Sequence, residues 1–96
     1  MTALASVTDP DGRTVVLDAA GWQHIVRPDG HPELASAQAA ILRAVSNPHD
    51  RQPGSRPGQE WFYGIGFGPS RFVRVVVAYE KGRGRIVTAF PRRRLP

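Results

Sequence analysis

The 96-residue sequence has no cysteine, which excludes disulfides, thiolate zinc sites and a cysteine nucleophile. No apolar run approaches the roughly 18 residues that a membrane-spanning helix needs. The opening Met1-Thr2-Ala3-Leu4 has neither a basic region nor a long apolar stretch, so a secretory signal is not expected and a cytoplasmic location is. No phosphate-binding glycine loop is present. Gly64-Ile65-Gly66-Phe67-Gly68 is glycine-rich, but it falls within and after a strand-like run with no helix following. Such glycines mark β-bulges or a close backbone approach. No His/Asp/Glu set has recognisable metal spacing; the nearest to one is His24, His31 and Glu33. No cofactor is therefore expected. The chain shows no internal repeat and no linker.

What the sequence does have is arginine. Twelve of its 13 basic residues are Arg, and the net charge is +5. The first 48 residues carry a net charge of −2 and the second 48 a net charge of +7. A half so basic suits a polyanionic partner, although the Arg bias, with many Ala, Gly and Pro, also fits a GC-rich coding bias. With 41% hydrophobic and 22% charged residues, the composition is that of a folded globular domain. Residues 1–96 read as one domain: a lead-in over 1–12, a core over 13–91 and a basic tail over 92–96.

Asp9-Pro10-Asp11-Gly12 has turn chemistry, and Arg13–Leu17 has strand composition, so the chain opens as a β-hairpin or an extended lead-in. Asp18 is placed to cap a short helix through about Val26. A longer helix is predicted from Pro32 or Glu33 to about Ser46, with Leu34, Ala37, Ile41, Leu42 and Val45 on its core stripe; Asn47-Pro48 stops it. Residues 49–59 form an irregular stretch whose start can supply a short edge strand. Three strand-like runs follow: Glu60–Phe67, Arg71–Glu80 and Arg85–Phe90. Turns join them at Gly68-Pro69-Ser70 and Lys81-Gly82-Arg83-Gly84. The predicted fold is α+β: two N-terminal helices packed on a four-stranded antiparallel sheet.

Four residues stand out as candidates for chemistry. His24 points away from the stripe of its helix, where an imidazole can titrate near neutral pH and move protons; a solvated surface histidine would look the same. His31, in His31-Pro32-Glu33, stands where a helix begins and fits an N-cap position equally well. Arg74 lies amid valines, on the strand face that also holds Phe72 and Val76. There its charge needs an anion or a wet face. Thr88 sits in the last strand. Tyr63 and Tyr79 could each stack on a base or fill the sheet.

Taken together, Trp22-Gln23-His24-Ile25, His31-Pro32-Glu33-Leu34, a helix ending at Asn47-Pro48, Arg71-Phe72-Val73-Arg74-Val75-Val76-Val77 and Ile86-Val87-Thr88-Ala89-Phe90-Pro91 resemble a known pattern. The chain is similar, from about Val15 to Pro91, to the barnase–EndoU–colicin–RelE-like (BECR) nuclease fold families. It is most like the phage- and polymorphic-toxin-associated members and their stand-alone bacterial relatives. That resemblance implies a small toxin-like ribonuclease that cleaves RNA without a metal, at a site between helices and sheet. The matching positions here are His24, His31, Arg74 and Thr88. No carboxylate base of the barnase kind is evident, since Glu60 and Glu80 end strands. RNA would supply its own 2′-hydroxyl nucleophile. His24 would act as general acid or base, Arg74 would neutralise phosphate charge and Thr88 would orient the phosphate. Arg71, Arg92, Arg93 and Tyr63 would track the RNA. The expected partners are RNA and a cognate immunity or antitoxin protein, with no membrane. Two other readings fit the sequence: a non-catalytic RNA- or protein-binding module, and a structural or interaction protein of a phage or toxin locus.

Overall fold

The computed structural model describes residues 3–67 and 71–95; the turn expected at Gly68-Pro69-Ser70 lies outside them. In chain order the elements are β1 (Ala3–Thr8), β2 (Thr14–Asp18), α1 (Ala19–Val26), a 3₁₀ turn (Pro32–Leu34), α2 (Gln38–Ser46), β3 (Asp50–Pro53), β4 (Gln59–Phe67), β5 (Arg71–Glu80) and β6 (Arg83–Arg92). Among the described residues no helix is long and apolar enough to cross a membrane.

The two helices and the meander are present, but the expected four-stranded antiparallel sheet is wrong. The sheet has six strands, in the order β1-β2-β6-β5-β4-β3. It is also mixed, because β2 runs parallel to β6 through Val15↔Gly84 and Val16↔Arg85, while the other neighbouring pairs are antiparallel. The physical reason lies in the hairpin. Val15 and Leu17 of β2 are fully buried, so the hairpin cannot stand apart as a lead-in. It docks on the free edge of β6, and the helical crossover that follows β2 makes that pairing parallel.

The hairpin turn is built from its own sequence. One Asp9 carboxylate oxygen accepts from the Asp11 and Arg13 amides, each at 2.9 Å, and Gly12 supplies a left-handed φ of 85°, which costs glycine little. Asp18 caps α1 as expected, accepting from the Gly21 amide at 2.7 Å. The long second helix predicted from Pro32 is divided. The His31 amide is pinned to the Ile25 carbonyl at 2.7 Å, and i→i+3 bonds then run from Leu34 to His31 and from Ala35 to Pro32. That tight turn seats Leu34 in the core, and the α-helix starts only at Gln38.

Both helices cover one face of the sheet. Leu34, Ala37, Ile41, Ala44 and Val45 pack with Val15, Leu17, Phe62, Val73, Val75, Val77, Ile86 and Ala89 in a single buried cluster. At Gly64 the helix comes so close that an added Cβ would stand 2.9 Å from the Ala44 Cβ. The expected close approach in the glycine-rich run is thus real, and a bulge between Ile65 and Phe67 accompanies it.

Candidate functional site

Among the described residues the opposite face of the sheet carries no helix, and strand register arranges its side chains as a grid. Directly opposed residues on neighbouring antiparallel strands share a face. One row reads Trp61, Val76, Thr88; the next reads Tyr63, Arg74, Phe90; the third reads Ile65, Phe72, Arg92. Arg74 is the centre of the nine. The bulge at Val87, where Val77 pairs with Ile86 but Val76 pairs with Thr88, is what brings Thr88, Phe90 and Arg92 onto this face while Ala89 stays in the core.

Arg74 is only 8% exposed. Its guanidinium carbon lies 4.0 Å from the centre of the Trp61 ring, 5.2 Å from that of Phe90 and 5.4 Å from that of Tyr63. Those rings attract a cation through their quadrupoles. The Arg74 Nε donates to the Tyr63 hydroxyl at 2.8 Å, which also accepts from the Gln52 amide at 3.2 Å. The donated bond fixes the plane of the fork. Among the described residues no carboxylate forms an ion pair with Arg74, and its two terminal amino groups have no hydrogen-bond partner. Yet the one fully buried side-chain polar atom without a partner among those residues is an Asp18 oxygen. The terminal Arg74 nitrogens are not among such sealed atoms. The cation is gripped by the rings and the Tyr63 hydroxyl, with no carboxylate against it among the described residues.

The other predicted residues fall at different distances from this centre. Thr88 is a diagonal neighbour of Arg74 on the grid and is half-buried; Arg92 is the other diagonal neighbour on β6. His31 lies beside Phe90, ring centres 6.0 Å apart, so Phe90 is flanked by His31 on one side and Arg74 on another. The His31 Nδ1 pairs with the Glu33 carboxylate at 3.1 Å. His31 occupies the position before the 3₁₀ turn but makes no side-chain cap. His24 is exposed on α1, and none of the side-chain hydrogen bonds among the described residues involves it. Arg71 is exposed at the start of β5 with a left-handed φ of 69°, and Arg93 is exposed just beyond β6. Tyr63 is fully buried, so its ring has no free face for a base; it touches the site by holding Arg74. Among the described residues no three His, Asp or Glu side chains converge as metal ligands.

Sequence reasoning missed Trp61 and Phe90 as members of this neighbourhood. The alternation in β4 already set Trp61 beside Tyr63, but the place of Phe90 needs the bulge. Tyr79, the other candidate stacker, belongs elsewhere. It lies under the Arg13 guanidinium at 3.7 Å and donates to Asp9 at 2.7 Å. That second cluster joins Arg13 to Asp9, Asp11 and Glu60 at 2.9, 3.2 and 2.7 Å, and Arg51 to Glu60 and Asp11 at 2.8 and 2.6 Å.

Titration in that cluster follows from its contacts. Burial raises the Asp9 carboxyl, but hydrogen bonds from Tyr79 and from the Arg13 and Asp11 amides, with the Arg13 charge, outweigh it and hold Asp9 below the ordinary range. Burial, then the bond to the Asp9 carboxylate, pushes the Tyr79 phenol up. The hydrogen bond to Asp11 and the one to Glu60, with the charges of both carboxylates, hold Arg51 more firmly protonated. Compared with protein-family models, curated proteins and solved structures, the chain has no match.

Proposed function

We propose that this protein is a small ribonuclease that binds an RNA phosphodiester on the helix-free face at Arg74 and cleaves it by transesterification. The observation that carries this is the state of Arg74: a nearly buried cation, clamped by three aromatic rings and a tyrosine hydroxyl, with no carboxylate against it among the described residues. A guanidinium held in this way fits two phosphate oxygens at once and loses little freedom when it does so. Arg92 beside it, and Arg71 and Arg93 at the ends of the strands, extend the positive surface along which a polyanion can lie.

In the reaction the RNA 2′-oxygen attacks its own phosphorus and gives its proton to a base on the protein. The bond to the 5′-oxygen breaks, and that oxygen takes a proton from an acid. The products are a 2′,3′-cyclic phosphate and a 5′-hydroxyl. Arg74 neutralises the charge that builds on the non-bridging oxygens. His31 stands beside Phe90, ring centres 6.0 Å apart, and its pairing with Glu33 through Nδ1 leaves Nε2 to exchange a proton. His24, exposed on α1, belongs to the helix-covered side and takes no part at this centre; Thr88 donates a hydrogen bond to the phosphate from the neighbouring row.

The test is incubation of single-stranded RNA with the protein in excess chelator, followed by analysis of the product ends. Expected are cyclic-phosphate ends, DNA left intact, and activity that falls at least 100-fold in His31→Ala. A smaller loss in His24→Ala than in His31→Ala would place His31 closer to the chemistry. Salt-sensitive RNA binding without cleavage would replace the enzyme with a binding module, and neither binding nor cleavage at low salt would overturn both.

A further inference from the structure

Beside the grid, at the outer edge of β4, lies a cavity of about 420 Å³ lined by Ala40, Arg43, Ala44, Asn47, Pro48, His49, Gly64 and Ile65. That volume is within the range of small-molecule sites, about 300–1,000 Å³. It exists because β3 is short. β3 pairs with β4 only from Glu60 to Tyr63, so β4 continues past it with one edge uncovered.

Backbone alternation gives that edge its chemistry. The Tyr63 carbonyl points toward β3, where it accepts from the His49 amide at 2.8 Å. Two residues on, Ile65 turns its N–H and its C=O to the same side, and there no strand meets them. Ile65 faces Phe72 across the sheet as a pair that exchanges no hydrogen bonds, and no other backbone bond among the described residues reaches either group. A donor and an acceptor thus stand side by side on the strand edge that borders the cavity, whose lining also includes Arg43, Asn47 and His49. The His49 ring lies 6.2 Å from the ring of Phe72, which is two residues from Arg74.

We propose that this cavity takes a nucleobase, that of the nucleotide next to the phosphate held at Arg74; the placement of the neighbouring phosphate rests on the function proposed above. An adjacent donor and acceptor on a rigid edge match the hydrogen-bonding edge of a base, and His49 on Phe72 offers a ring surface beside it. Phe72 and Arg74 are about 7 Å apart along the strand, comparable to one nucleotide step. A peptide strand is the poorer fit, because the turn Asn47–His49 closes the edge after a single free residue.

The experiment is an amide-resolved NMR titration of the full chain with AMP, CMP, GMP, UMP and ribose 5-phosphate. At least one nucleotide should bind ten or more times tighter than ribose 5-phosphate and shift the Ile65, Asn47 and His49 signals. Ile65→Pro removes the free N–H at an edge position that donates to no strand, and should bring that nucleotide down to the ribose 5-phosphate level. Asn47→Ala, which leaves the strand untouched, should narrow the preference in the same direction. Arg74→Met should weaken all five ligands by a common factor. Four nucleotides that bind no better than ribose 5-phosphate, or a preference that survives both cavity variants, would overturn the assignment. A base preference that persists while Arg74→Met changes nothing and RNA is not cleaved would sink the ribonuclease and leave the cavity as a base site.

Discussion

Arg13 and Arg51 lie on the helix side of the sheet, and each is bound to two or more carboxylates. Arg74, on the other side, is more deeply buried than either and has aromatic rings where they have acids. The same side chain thus serves two purposes. In the first cluster charge is cancelled internally, which fastens the hairpin turn to β3 and β4 and leaves nothing to offer a ligand. In the second the charge is supported but not cancelled, at a cost in folding energy that rings and a hydroxyl only partly offset. The contrast separates arginines whose charge is cancelled within the fold from one that has no carboxylate against it among the described residues.

Exchange of Arg74 for Met gives the largest expected effect that would break this contrast. The apolar stem still packs on Trp61, so the thermal midpoint should stay within a few degrees or rise, while RNA cleavage falls 100-fold or more. A variant that unfolds while residual protein cleaves RNA normally would make Arg74 structural. The reverse pattern is expected at Glu60, where Glu60→Gln weakens two arginines at once. Stability in urea should drop by about 1–2 kcal/mol, with cleavage per folded molecule unchanged. Smaller again is Tyr63→Phe, which removes the hydroxyl under Arg74 but keeps the ring. Cleavage should fall about tenfold, through kcat more than KM, because the fork loses its fixed plane.

The smallest effect is a matter of pH. Asp9 titrates lower in the folded protein than in the unfolded chain. In the interval between those two values the unfolded chain binds more protons, so Asp9 stabilises fully above the unfolded value of about 4 and this contribution is lost as pH falls through the folded value. Asp9→Asn should be less stable than wild type at neutral pH and should show a flatter acid limb in unfolding monitored below pH 5; an unchanged limb would assign the acid sensitivity to other carboxylates.

Much of the site's framework was legible in the strand alternation. Trp61 and Tyr63 on one face of β4, and Phe72, Arg74 and Val76 on one face of β5, follow from a period of two, and Asp18 as a cap follows from residue type. The sixfold sheet was not legible, because the parallel contact of Val15 and Val16 with Gly84 and Arg85 joins residues about 70 apart and leaves no local mark. Nor was the position of Phe90: plain alternation from Ile86 would bury it, and a one-residue bulge at Val87 reverses the faces without any glycine to announce it. His31 stood out at the start of a helix and took its catalytic role from a resemblance to other chains, and its place beside Phe90 became known only once the 3₁₀ turn had folded it back toward β6. The carboxylate cluster went unseen because Asp9, Asp11, Arg51 and Glu60 meet only when the sheet curls.

That curl has a kinetic corollary. The Asp11–Arg51 contact ties a turn at one margin of the sheet to an edge strand at the other. Neither margin can then peel away alone. Backbone amides of the first hairpin and of the short third strand should exchange with deuterium at matched rates in the wild type, and at independent rates once this tie and the Arg13–Glu60 one beside it are both cut.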